Sequence, residues 1–198
     1  MESDTPAPTL VLVEGDSDAG AVRALAALIG CDLDMHRIQV RSAHGVTNFP
    51  RLLAEFVHVH PRSGTCGLYD VGEEWHVRRA IAHARAPIAA DESLETHGFY
   101  ACVVDLEDEL IRALGPDAVE QAIQAQGELA SFRRFQAMPQ QRGKPAHDQL
   151  RRFLGTRATR KIRMAAHLVR ALGVARLPRP LAQLAAHLVE AARERSGA

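Results

Sequence analysis

The chain has 198 residues, 46% of them apolar, and its 24 basic and 24 acidic side chains balance to a formal net charge of zero. That length and apolar share suit one buried core with a helical extension and leave little room for two full domains. No apolar run approaches the roughly 18 residues of a membrane span, and the opening MESDTPAPT lacks the basic start and apolar stretch of a signal peptide, so a cytoplasmic protein without membrane contact is expected.

The first predicted strand, 9–13, is an apolar or β-branched run that ends in the turn Glu14-Gly15. Asp16 or Ser17 is a good helix N-cap, and Val22, Leu25, Ala26, Leu28 and Ile29 keep helical spacing as far as Gly30. A second strand is expected at 38–42, followed by a helix over about 48–57. A third strand, 65–69, runs into Asp70 and a helix from near Glu73, and a fourth, 99–104, runs into Asp105. This alternation implies crossover connections and a parallel sheet covered on both faces by helices.

Beyond Asp105 only helices are predicted: 107–114, 118–126, 128–135, 148–154, 160–172 and 181–195. Gly115-Pro116, Pro139, the loop 143–145, Gly155, Gly173 and the segment 178–180 punctuate them. The expected division is an α/β core over 1–110 and a helical part over 111–198 that completes the site and carries a basic stretch. Cys31, Cys66 and Cys102 are odd in number and widely spaced, which argues for reduced, buried thiols and against a disulfide framework or Cys-x-x-Cys zinc. His58 and His60, the only tight histidine pair, lack a third ligand nearby and read as a surface or helix-end pair.

Three predicted strands end in acids: Glu14 with Asp18 one turn later, Asp70 with Glu73 and Glu74, and Asp105 with Glu107, Asp108 and Glu109. In a parallel sheet these ends lie on one side, where open α/β sheets bind their ligands. Acids in a first helical turn are favoured by the helix dipole without any function. Three such clusters, one opening with Glu14 directly after an apolar strand, point instead to convergent carboxylates. Convergent carboxylates repel unless cations lie between them, and oxygen ligands of this type suit Mg²⁺ or Mn²⁺ and phosphoryl transfer.

The segment from Ser131 to Arg163 holds ten Arg or Lys residues and a single acid, Asp148. Arg151, Arg152, Arg157, Arg160, Lys161 and Arg163 are the expected contacts to a nucleic-acid backbone, the other reading being a solvated helix face. Only Lys144 and Lys161 among the basic residues are lysine. A lysine kept within Arg-Lys-Ile-Arg suits a compact, rotatable ammonium at a phosphate oxygen. Phe132, Phe135 and Phe153 lie among these residues and read as packing positions rather than base-stacking ones.

Glu14-Gly15-Asp16-Ser17-Asp18 resembles the first signature of the TOPRIM domain, a Glu-Gly-x-x-Asp turn after the first strand, and 67–70, Gly-Leu-Tyr-Asp, resembles its Asp-x-Asp element. The stretch 104–110 and Thr159-Arg160-Lys161 are similar to the later acidic and lysine-bearing elements of OLD-family (overcoming lysogenization defect) nucleases. The resemblance implies a four-stranded parallel, Rossmann-like TOPRIM sheet with a helical C-terminal extension. It implies that Glu14, Asp18 and Asp70 bind metal, that Asp105 and Glu107 add ligands, that a pair of Mg²⁺ or Mn²⁺ ions is held, and that Lys161 meets the scissile phosphate. Gly72 stands where the second acid of Asp-x-Asp belongs, so either Glu73 (or Glu74) replaces that ligand or one metal position is weakened.

No Gly-x-x-x-x-Gly-Lys-Ser/Thr loop occurs, so the expectation is a standalone TOPRIM unit with no ATP site. The activity implied is endonucleolytic hydrolysis of nucleic acid, DNA before RNA, with Glu14 and Lys161 catalytic. The rivals are a catalytically weakened TOPRIM-fold binding or regulatory module working with a partner ATPase, and a small-molecule phosphoryl or nucleotidyl transferase. Whether a separate ATPase subunit or a second copy of the chain joins it stays open at this level.

Overall fold

Along β1 (Thr9–Val13) all five residues are buried, so both faces of this strand must be covered. Successive strand residues point to opposite faces. Accordingly Leu10 and Leu12 join one core with Phe49, Leu53, Phe56, Val77, Ile81 and Phe99. Val11 and Val13 join another with Val22, Leu25, Cys66, Leu68 and the apolar faces of the C-terminal helices. The structure, a computed structural model, describes residues 7–196, without the side chains of 195 and 196. The start of the opening segment, residues 1–6, lies outside the described residues.

The other strands are β2 (Ile38–Ser42), β3 (Gly64–Asp70) and β4 (Phe99–Cys102), in the order β2-β1-β3-β4. Every pairing is parallel, with Val11 opposite Val40 and Cys66, and Asp70 opposite Cys102. One face carries α2 (Phe49–Val59) and α3 (Glu74–Ala84). The other carries α1 (Asp16–Leu28), against which α8 (Ala158–Leu172) packs, and α9 (Arg179–Ser196), which lies on β3 and β4. Between these come α4 (Leu106–Leu114), α5 (Pro116–Ala125), α6 (Leu129–Gln136) and α7 (Ala146–Leu154).

The expected α/β class and the parallel sheet of four strands hold. The expected strand at 99–104 is shorter: β4 stops at Cys102, and Val103 and Val104 are exposed. The reason is local, since the Val103 N–H is taken by the buried Glu109 carboxylate at 3.0 Å instead of by the sheet. Gly67 is required where β1 and β3 meet, because a Cβ there would lie 2.0 Å from the Leu12 carbonyl oxygen. All three cysteines are free and buried. His58 is exposed near the end of α2, and His60, just beyond it, rests edge-on against Phe56. Among the described residues no helix is long and apolar enough to cross a membrane. The helical half does not form a core of its own, since α5 to α9 share one apolar cluster with α1 and the sheet.

A pH-sensitive joint ties α9 to the sheet. His187 of α9 shares a hydrogen bond of 3.1 Å with the Tyr100 hydroxyl of β4. Burial holds its imidazole below the ordinary value of 6.5, against a smaller opposing pull from Glu190 and Glu194. A histidine whose folded value is depressed costs stability once pH falls below its unfolded value, because only the unfolded chain then takes the proton. Thermal unfolding of His187→Gln is therefore expected to lose less stability than the wild type between pH 7 and pH 5.5. Equal losses in the two proteins would show that His187 protonates freely in the fold.

Candidate functional site

The acids gather at the carboxyl ends of three strands. Glu14 follows β1, and Asp18 sits in the first turn of α1, where its carboxylate accepts the Gly15 N–H at 3.0 Å and the Ser17 hydroxyl at 3.4 Å. Asp70 ends β3 and Asp105 follows β4 as the N-cap of α4, accepting the Asp108 N–H at 2.8 Å. Glu107 lies in the first turn of α4, 4% exposed. Together Glu14, Asp18, Asp70, Asp105, Glu107 and Lys161 line one cavity of about 230 Å³.

Their ionisation shows that they feel one another. Burial raises the Asp70 carboxyl to about 7, reinforced by the charges of Glu14, Asp105, Asp18 and Glu107. Burial likewise raises Glu107 to about 7, opposed by Lys161. Glu14 is raised by burial and then by Asp18 and Glu73, and Asp18 is raised by burial against the pull of Lys161. These are groups that a cation would relieve.

Lys161, on α8, is the one ammonium at this cavity among the described residues, 3.1 Å from a Glu107 oxygen. The other Glu107 oxygen, Oε1, is buried with no hydrogen-bond partner. An unpartnered buried carboxylate oxygen is costly, and this one belongs to the acid set at the cavity, so the donor chemistry fits a hard divalent cation. Among the described residues no three acidic, His or Cys side chains already form an ion-sized cage. The carboxylates would have to draw together around the ion.

The remaining acids divide by partner. Glu73 lies in the short 3-10 turn before α3, 3.7 Å from His76, and its charge reaches Glu14. Glu74 turns away to Arg78 at 2.7 Å. Asp108 is held by His147 at 2.7 Å and Arg112 at 3.0 Å, and Glu109 by the Val103 N–H and Arg112. Asp105 is partly engaged already, because Arg151 meets it at 2.5 and 2.9 Å in addition to its cap bond.

A second cavity of about 580 Å³ shares Asp105, Glu107 and Lys161 with the first and extends past Lys144, Arg151 and Arg152. The acid cavity thus opens into a basic one across a common wall. Arg157 is exposed at the start of α8. Arg163 is exposed but tied to Glu128. Arg160 has to be withdrawn as a nucleic-acid contact. It is 3% exposed, bonded to Glu128 at 2.5 Å, to the Phe153 carbonyl at 3.1 Å and to the Thr156 hydroxyl at 2.5 Å, and its guanidinium lies 3.8 Å from the Phe153 ring centre. Phe132, Phe135 and Phe153 are buried against one another, as packing positions should be.

Residues 7–61 match the family model described as "Overcoming lysogenization defect protein-like, TOPRIM domain". Residues 7–61 are thus similar to a TOPRIM domain of the OLD-like type. Its fold is similar to the C-terminal region of the Xanthomonas campestris pv. campestris OLD protein phased with platinum, at 20% identity and TM-score 0.69, covering 96% of each chain. The C-terminal region of the Burkholderia pseudomallei OLD protein is similar at 18% identity and TM-score 0.66, covering 94% of this chain and 99% of that one. No curated protein matches the sequence. The family-model match covers the Glu14 to Asp18 turn directly, and the structural likeness extends the same fold over the helical half.

One lining residue of this site escaped the sequence reading. His44, after β2, borders the acid cavity with its backbone at φ 53°, and its Nδ1 lies 3.5 Å from Asp16. A positive φ is rarely adopted by a residue with a side chain, and the only trace of it in the sequence is the following Gly45.

Proposed function

We propose that this protein is a divalent-metal-dependent nuclease. The observation that carries the reading is the pairing of Lys161 with one oxygen of the buried Glu107 while the other oxygen has no partner, at the wall between an acidic and a basic cavity. Glu14, Asp18, Asp70 and Glu107 would hold Mg²⁺ or Mn²⁺. Glu73, the acid whose charge reaches Glu14, stands in for the one missing at Gly72. Asp105 is the weaker ligand candidate because Arg151 already claims it. The metal, when bound, supplies Lewis-acid polarisation of a phosphoryl oxygen and a more acidic water.

The chain's own groups do the rest. Arg152 and Lys144, exposed along the basic cavity, hold phosphates of the strand; Arg151 anchors the loop at Asp105 and offers its remaining N–H groups. Lys161, once Glu107 turns to the cation, is freed to place its ammonium on the scissile phosphate and stabilise charge that develops there. The carboxylate of Glu14, partly exposed at the cavity, is placed to accept a proton from attacking water.

Incubating supercoiled and single-stranded DNA with the purified protein in Mg²⁺ or Mn²⁺ tests this reading. Cutting is expected, with none in EDTA and a loss on the order of a hundredfold or more in Glu14→Ala. Unchanged DNA alongside tight Mn²⁺ binding would favour a regulatory module. Absence of Mn²⁺ binding would defeat the catalytic reading.

A further inference from the structure

Nine large apolar side chains are exposed among the described residues, and four of them stand in the segments that follow β3 and β4, beside the acids. Val71 (47% exposed) directly follows Asp70, and Val103 (63%) and Val104 (45%) directly precede Asp105. The register pairs Asp70 with Cys102, so the next residues on each strand, Val71 and Val103, leave the sheet side by side. Trp75, 61% exposed, lies four residues after Val71, in the first turn of α3, which the 3-10 turn 71–73 leads into. A clustered apolar surface of this kind on an otherwise polar rim marks a binding site.

We infer that this patch is a stacking platform for an unpaired base of the nucleic-acid strand, which makes single-stranded or locally opened nucleic acid the substrate class. The inference rests on the nuclease reading and adds what the site selects. Four side chains offer far less than the roughly 800 Å² per partner of a stable protein interface, whereas the face of one base is matched by an indole flanked by valines. The position is the second argument: the platform touches the carboxylate cluster through Asp70 and Asp105, so a base resting on it leaves its phosphate at the acids.

Charge gives the third argument. The Arg79 guanidinium lies 5.4 Å from the Trp75 ring centre and has no acidic partner among the described residues. Beside it runs a groove of about 530 Å³ whose charged and titratable lining is Arg51, Glu55, His76, Arg79 and His83; Arg51 is paired with Glu55 at 2.9 Å, which leaves Arg79 as the cation placed for the next phosphate. The loop that carries Val103 and Val104 is also held in place. Glu109 fixes the Val103 N–H and Asp105 caps α4, so the valines are presented by a bonded loop and little ordering is needed on binding.

Trp75 is the only tryptophan in the chain, so intrinsic emission reports this patch alone. The experiment titrates the full chain, in Ca²⁺, with a labelled oligothymidylate of about 12 nucleotides and with a blunt duplex of the same length, following emission and the label's anisotropy together. Saturable quenching by the single strand and not by the duplex is expected. Trp75→Ala should weaken single-strand binding by about tenfold, Trp75→Phe should keep most of it, and duplex affinity should stay within about twofold. Trp75→Ala unfolds like the wild type if the platform is only a surface.

A bound strand with unchanged emission, or equal affinity in Trp75→Ala, would overturn the inference and leave the nuclease reading intact. Equal quenching by the duplex would overturn the unpaired-base class. An emission shift that follows protein concentration without nucleic acid would assign the patch to a second copy of the chain and overturn it too. Failure of either oligonucleotide to bind would remove the nuclease reading and the inference together.

Discussion

Glutamine at position 107 is expected to abolish most of the protein's response to Mg²⁺ or Mn²⁺ while leaving the metal-free fold as stable as before, or more so. The reasoning starts from a carboxylate 4% exposed with one oxygen on Lys161 and the other on nothing. A buried charge so poorly matched costs stability in the metal-free protein, and its carboxyl stands at about 7 rather than 4.5, chiefly from burial. A carboxyl raised in the fold contributes stability that is whole below its unfolded value and is lost as pH climbs through the folded one. Wild-type protein without metal should therefore lose stability between about pH 4.5 and pH 8, and Glu107→Gln should remove its share of that loss, about 1–3 kcal/mol.

With metal the ranking reverses. A cation at a hundredfold excess over its Kd adds about 2.7 kcal/mol to the wild type, and Glu107→Gln, at least about tenfold weaker in affinity, should show little of it. Cleavage should fall on the order of a hundredfold or more. Thermal melts at pH 5 and pH 8, with and without Mn²⁺, read all of this from two proteins. A variant less stable than wild type at pH 8 without metal would show that Glu107 serves only as the structural partner of Lys161.

The sheet was legible because burial writes itself into sequence as composition: 9–13, 38–42 and 65–69 are short β-branched or apolar runs, and each starts and stops within a residue of its prediction. The fourth strand overran because Val103 and Val104 look like strand residues. Nothing local announces that Glu109, six positions on, takes the backbone N–H that would have extended it. Convergence of Glu14, Asp18, Asp70 and Glu107 was legible for a similar reason, since parallel strands put their carboxyl ends on one side. What stayed hidden was pairing over long separations. Asp105 and Arg151 are 46 residues apart, and Arg160 and Glu128 are 32 apart. A charge count assigns such arginines to solvent or ligand, whereas the fold assigns some of them to each other's neighbours.

Arg160 is the sharpest case, and its replacement should have the largest effect on stability. Its fork joins α8 to the start of α6 through Glu128, and to the end of α7 and the turn after it through the Phe153 carbonyl and Thr156, with the Phe153 ring against its face. Phe153 in turn packs on Phe132 and Phe135, so this guanidinium closes the apolar joint among α6, α7 and α8. Breaking a buried ion pair costs about 3–5 kcal/mol when the abandoned charge stays buried. Glu128 is partly exposed and keeps Arg163, so about 2–4 kcal/mol is expected for Arg160→Ala in urea unfolding.

Lysine should restore less than half of that, because it keeps the charge and loses the planar fork. Arg160→Ala should also slow cleavage, since Lys161 is the next residue and depends on the same helix start. Arg152→Ala, on the open cavity wall, should change stability by no more than about 0.5 kcal/mol and lower the salt dependence of nucleic-acid binding by about one counterion. If Arg160→Ala instead folded as stably as the wild type and lost only nucleic-acid affinity, the buried ion pair would not be holding α8, and the arginine would return to the substrate face.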